Sequence, residues 1–111
     1  DIHHVVDLQE FYYTKGDTDH IREMDDRFHE LLCQMSHHTV IFDTLTPLHR
    51  KTMRYRRAAI DQHKSTHEVL TEHRAILEAL DAHDGCLAQA RTEEHIHNAR
   101  QRMLERARLN G

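Results

Sequence analysis

The chain has 111 residues, of which 38% are hydrophobic and 31% charged, and its formal net charge is −4. This length supports one domain with a single core, and the composition is typical of a soluble globular fold rather than a disordered segment. The negative charge argues against nucleic-acid binding by the domain as a whole, and no apolar stretch approaches the roughly 20 residues of a membrane-spanning helix.

The scarcity of proline and glycine, with one and three residues, predicts an all-α chain. The helical spacing of apolar residues predicts about five helices, at residues 2–14, 19–36, 38–62, 66–84 and 85–108. Thr18 or Asp19 is expected to cap the second helix, and Ser65 or Thr66 the fourth. Pro47 is expected to kink or break the third helix. Because the connections are short, neighbouring helices should be mostly antiparallel, which predicts a helical bundle.

Several other side chains can be assigned to the interior from the sequence. The buried side of the first helix is expected to include Val5, Leu8 and Phe11, and that of the last helix Leu87, Ala88 and Leu104. Cys33 and Cys86 lie in helical contexts without CxxC spacing. This favours a pair of buried thiols in a reducing cytoplasm over a disulfide.

The 13 histidines are dispersed along the chain, so only position can separate metal ligands from solvated side chains. Asp25 and His29 lie four residues apart and therefore share one face of the second helix, at the edge of its buried stripe. His73 lies at the centre of the apolar side of the fourth helix, and His95 lies on a row of small residues in the last. An ordinary surface Asp–His pair and a hydrogen-bonded core histidine are the alternative explanations.

Taken together, these four side chains predict one site of three imidazoles and one carboxylate. Such a set suits a single divalent transition metal ion, Zn²⁺, Ni²⁺, Mn²⁺ or Fe²⁺, and cannot choose among them. Four protein ligands on an octahedral ion leave two positions that a small carboxylate could occupy. The run from His49 to Arg57 is basic and is most simply a solvated helix face. Within it, Arg56 is the best candidate to bind an effector carboxylate bidentately.

Three motifs, DDRFH at 25–29, EHRAILEAL at 72–80 and A-x-x-x-x-H at 90–95, occur in this order. They resemble the FCD effector-binding domain of GntR-family (FadR-type) bacterial transcription regulators, and the resemblance covers nearly the whole chain. It implies a homodimeric helical bundle that binds a small organic acid beside a metal held by Asp25, His29, His73 and His95. Binding of the acid would control DNA binding by an N-terminal winged-helix domain. We expect that domain, and the family's first effector-domain helix, to lie outside residues 1–111, the chain being cut from a longer polypeptide.

The leading hypothesis is therefore a cytoplasmic, metal-dependent sensor of a small carboxylate, and not an enzyme, because no nucleophile–base pair is visible. An alternative is a dinuclear carboxylate bundle, either an enzyme or an oxygen carrier. Two pairs, Asp26-x-x-His29 and Glu94-x-x-His97, resemble the Glu-x-x-His motifs of such bundles. Glu68 and Glu72, which share one helix, would have to supply the other ligands. A helical module without any ligand is the third hypothesis. The expected metal content is one ion per chain for the sensor, two for the dinuclear protein and none for the inert module.

Overall fold

A computed structural model describes residues 1–35 and 63–110. These residues form four helices and no strand: α1 (Ile2–Lys15), α2 (Thr18–Met35), α3 (His63–Asp81) and α4 (Gly85–Asn110). The prediction of an all-α bundle is confirmed. The predicted helix at 38–62, including Pro47 and Arg56, lies outside the described residues.

The turn between α1 and α2 is built around Gly16. This residue has a φ of 67°, in the left-handed region that glycine adopts without a steric penalty. Its neighbour Asp17 donates its backbone N–H to the carbonyl of Tyr12 over 3.0 Å, which closes the end of α1. The Asp17 carboxylate then accepts the backbone N–H of His20 at 3.3 Å. Asp17 therefore caps α2, and the prediction of Thr18 or Asp19 was wrong by one or two residues.

A similar reversal joins α3 to α4. His83 takes the left-handed position with a φ of 54°, and Asp84 donates its backbone N–H to the carbonyl of Ala79 over 3.1 Å. The Asp84 carboxylate caps α4 by accepting the N–H of Leu87 at 3.0 Å. At the other end, α3 is described from His63 onward. Ser65 and Thr66 thus lie inside the helix, and the predicted cap at these positions was wrong.

Contacts between the helices show that they run antiparallel. His3 in the first turn of α1 contacts Asp81 at the end of α3, with 2.6 Å between Nε2 and Oδ1. Further along α1, Asp7 pairs with Arg74 of α3 at 3.0 Å. In the same way Glu72 of α3 contacts Arg102 of α4. The two pairs between α1 and α3 fix the antiparallel direction of these helices, and the predicted antiparallel bundle is confirmed.

The hydrophobic core lies where α1, α2 and α3 meet. Its buried residues are Ile2, Val5, Val6, Phe28, Leu32, Ile76 and Leu77. The prediction for the first and last helices is confirmed only in part, since Val5 and Ala88 are buried but three larger side chains are not. Phe11 is 51% exposed, Leu87 38% and Leu104 50%. Among the described elements the backbone of α4 lies close only to that of α3, so α4 buries the narrow row of Ala88, Thr92 and His95.

The exposure of the cysteines differs from the prediction. Cys86 is free and exposed, so the expectation that this thiol is buried was wrong; the side chain of Cys33 lies outside the described set. Residue 86 is the second residue of α4, at the end of the bundle, where neighbouring helices give little cover. None of the described helices is both long and apolar enough to span a membrane.

Candidate metal centre

Three histidines from three helices converge in the interior. One side-chain nitrogen from each of His29, His73 and His95 lies within 4.8 Å of the others. The ring centroids are 5.4 Å apart for His29 and His73, 5.3 Å for His29 and His95, and 4.9 Å for His73 and His95. All three residues are buried, with exposures of 8%, 0% and 3% in chain order. The sequence-predicted imidazoles therefore come together at one point.

The predicted carboxylate joins the same group. Asp25 is 3% exposed and lies one turn before His29 on α2, so the two side chains share a face. Its Oδ1 is 3.4 Å from Nε2 of His29 and 3.6 Å from Nε2 of His73. The structure thus brings all four predicted ligands together, with one negative charge in a pocket of imidazoles.

The imidazole of His73 is held on two sides. Its ring stacks on Phe28 of α2, with 3.9 Å between ring centroids and 18° between planes. Its Nδ1 lies 2.9 Å from Oε1 of Gln9, a fully buried residue of α1. The oxygen can only accept, so Nδ1 carries the proton and Nε2 keeps its lone pair. That lone pair faces Asp25.

The imidazole of His95 is oriented in the same way by α3. Its Nδ1 donates to Oε1 of Glu72 over 2.7 Å. Its Nε2 is buried and has no hydrogen-bond partner among the residues that the structure describes. A buried nitrogen lone pair without a partner is costly in a folded protein. Its position beside two other imidazoles and a carboxylate is the arrangement expected of a metal ligand.

Glu72 is fixed as a charged acceptor by its own partners. Nη1 and Nη2 of Arg102 donate to its two oxygens over 2.8 and 2.7 Å, and Nδ2 of Asn98 donates over 3.1 Å. Burial alone would raise the pKa of Glu72, but the hydrogen bonds from Arg102 and His95 outweigh it and lower the pKa from 4.5 to about 2. The carboxylate is therefore ionised at any physiological pH and can hold the Nδ1 proton of His95.

The chemistry of this donor set fits a divalent transition metal ion. Imidazole is a borderline ligand that such ions prefer, and a carboxylate adds a hard, anionic oxygen. Acceptors behind ligating histidines are usual at metal sites. Asp25, His29, His73 and His95 would hold the ion. When bound, it would supply a Lewis acid able to bind an oxygen of a small molecule.

Other residues considered from the sequence are placed differently. Glu94 and His97 are exposed, and Glu94 pairs with Arg91 at 3.0 Å on the surface of α4. Glu72 is engaged with Arg102 rather than free to bind a second ion. This geometry does not supply the second ligand set of a dinuclear centre within the described residues. The predicted effector ligand Arg56 lies outside them and stays a prediction.

Two supporting residues, Gln9 and Arg102, were not assigned these roles from the sequence. Gln9 follows Ile2, Val5 and Val6 at helical spacing, so a polar residue on the buried row of α1 was a signal that could have been used. Arg102 follows His95 by seven residues and lies on the same face of α4. No spacing rule links either side chain to its partner on α3, since those contacts exist only between packed helices.

Together, the all-α fold and the buried histidine cluster define a helical bundle with a candidate metal centre. Comparison with protein families shows that the FCD domain model matches residues 1–98. The chain therefore belongs to the FCD domain family, the C-terminal effector-binding domain of GntR-family regulators. FCD domains are known to bind metal, and the three histidines are a group that could hold an ion. Comparisons with curated proteins and with solved structures gave no match.

Proposed function

We propose that this domain is a metal-dependent sensor of a small carboxylate, in which Asp25, His29, His73 and His95 hold one divalent ion. The observation that carries the proposal is the meeting of three buried imidazoles from separate helices within 4.8 Å. A packing role alone does not account for it, because buried polar atoms normally find a partner and Nε2 of His95 has none among the described residues.

The effector would bind next to the ion. A metal with four protein ligands keeps open positions when its geometry is octahedral, and an oxygen donor such as a carboxylate suits them. Arg56 is proposed as the residue that binds the free end of the effector. Binding would then be coupled to a DNA-binding domain of the full-length regulator, in a homodimer in the cytoplasm, and no catalytic turnover is involved.

The proposal is tested first by metal stoichiometry. The metal-free protein is titrated with Zn²⁺, Ni²⁺, Mn²⁺ and Fe²⁺ in separate calorimetric experiments. Native mass spectrometry of the purified chain reports bound ion, small acid and subunit number. We expect one ion per chain. Two ions per chain would support the dinuclear alternative, and no uptake of any of the four candidate metals would refute the sensor.

A pair of variants on α4 makes the test specific to the site. His95→Ala removes a buried ligand, whereas His97→Ala removes an exposed imidazole two residues further along the same helix. We expect His95→Ala to abolish tight uptake and His97→Ala to leave it unchanged. Both proteins are compared by circular dichroism, so that a loss of metal in a folded His95→Ala protein is assigned to the ligand. Unchanged uptake in His95→Ala would remove His95 from the site.

A further inference from the structure

Gln9 is the one fully buried polar residue of the α1 core row, and no sequence motif marks it. It is 0% exposed and belongs to α1, which supplies none of the four proposed ligands. Its Oε1 lies 2.9 Å from Nδ1 of His73. Its Nε2 is buried without a hydrogen-bond partner among the described residues. A buried amide in such a position needs a reason, because each unsatisfied donor destabilises the fold.

A neutral imidazole carries one proton, and the described residues place an oxygen acceptor near each ring nitrogen of His73. Oε1 of Gln9 lies 2.9 Å from Nδ1, which is a normal hydrogen-bond length. Oδ1 of Asp25 lies 3.6 Å from Nε2, which is too long for a hydrogen bond. The proton of His73 therefore lies on Nδ1, where it is donated to Gln9. The lone pair of Nε2 is directed to the candidate metal centre.

We propose that Gln9 is a positioning residue that selects the metal-binding tautomer of His73. It does for His73 what Glu72 does for His95, with one chemical difference. A carboxylate can only accept, whereas an amide presents either an oxygen or an NH₂ group to its neighbour. With the NH₂ group turned towards Nδ1, the proton of His73 would have to lie on Nε2, where it would block the ion. The inference rests on the proposed metal site and goes beyond it in naming the residue of α1 that prepares it.

The test uses the whole chain and two substitutions at residue 9. Gln9→Leu replaces the amide with an apolar side chain of comparable size that cannot accept a hydrogen bond, whereas Gln9→Glu keeps an acceptor. Gln89→Leu is the control, because Gln89 is exposed and bonds only to Glu93 among the described contacts. The tautomer of His73 is read in the metal-free protein by ¹⁵N NMR of the imidazole rings, and Zn²⁺ affinity is measured by competition with a chelator.

We expect His73 to be protonated at Nδ1 in the wild type and in Gln9→Glu, and to shift towards the Nε2–H form in Gln9→Leu. Zn²⁺ affinity should fall about 10- to 100-fold in Gln9→Leu, the usual effect of losing a partner behind a ligating histidine. It should return to at least the wild-type value in Gln9→Glu and stay unchanged in Gln89→Leu.

Two results would overturn the inference: an Nε2–H tautomer of His73 in the metal-free wild type, or a Gln9→Leu protein with wild-type tautomer and affinity. The first can be read even if Gln9→Leu does not fold. A wild-type protein that binds no metal would refute the proposed function. The tautomer comparison in metal-free protein would still decide the role of Gln9.

Discussion

The ring of His73 lies flat on the ring of Phe28, with 3.9 Å between centroids and 18° between planes. Both residues are fully buried. This contact joins the hydrophobic core to the candidate metal centre, because Phe28 belongs to the core cluster and His73 to the group of three histidines. The candidate centre is therefore supported directly by the packing of Phe28 of α2 on His73 of α3.

Phe28→Ala should lower the free energy of unfolding by about 3–5 kcal/mol, because it leaves a large cavity in the core. The matched control is Phe11→Ala. Phe11 is 51% exposed, so its loss should change stability by no more than about 0.5 kcal/mol. Urea denaturation of the metal-free proteins measures both values. Equal effects of the two substitutions would contradict the core position of Phe28.

Glu72→Gln should make the free energy of unfolding less dependent on pH, because it removes a carboxylate that is ionised in the folded protein. The folded pKa of Glu72 is about 2, below its ordinary 4.5, so the ionised carboxylate stabilises the fold above about pH 5. That stabilisation is lost as pH falls towards 2. It is worth at most about 3 kcal/mol. The free energies of unfolding of wild type and Glu72→Gln should therefore differ at pH 7 and converge towards pH 2. If the difference in free energy of unfolding between the two proteins does not change with pH, the charge of Glu72 in its pair with Arg102 is not the cause of that difference.

Metal affinity should fall as the pH is lowered through about 6, because an imidazole binds an ion only with an unprotonated nitrogen. With three histidine ligands, up to three protons compete with one ion, so the fall should be steep. Zn²⁺ binding to the wild-type chain is followed between pH 5 and pH 8 by competition with a chelator of known pH dependence. An affinity that is constant over this range would argue against histidine ligation.

Removal of the ion should destabilise the domain by mass action. An ion present at 100 times its dissociation constant stabilises the folded state by about 2.7 kcal/mol, which raises Tm by roughly 10 °C for a domain of this size. Thermal unfolding is recorded with Zn²⁺ and again after a chelator is added. In His95→Ala the two curves should coincide. A wild-type Tm that is changed neither by Zn²⁺ nor by the chelator would count against metal binding at this centre.

Much of the fold follows from local sequence pattern. Helical spacing of apolar residues predicts the four described helices, and α1 ends at Gly16, whose φ of 67° suits glycine. The i, i+4 spacing of Asp25 and His29, with His73 on an apolar face, is also sufficient to nominate the ligands. These features depend on residues within one helix, and the geometry of a helix is the same in every fold.

Contacts between helices decided the rest. The sequence placed Phe11 and Leu87 inside, yet both are exposed, because the side of a helix that is buried depends on which neighbours cover it. Gln9 bonds to His73, which lies 64 residues away in the sequence. Arg102 bonds to Glu72, 30 residues away, and Glu72 in turn accepts the proton of His95. Their partners are set by how α1 and α4 pack on α3. The sequence by itself determined which side chains are candidate metal ligands. Tertiary packing decided that they meet, and which nitrogen of His73 and of His95 faces the candidate centre, because the partner of the other nitrogen comes from a neighbouring helix.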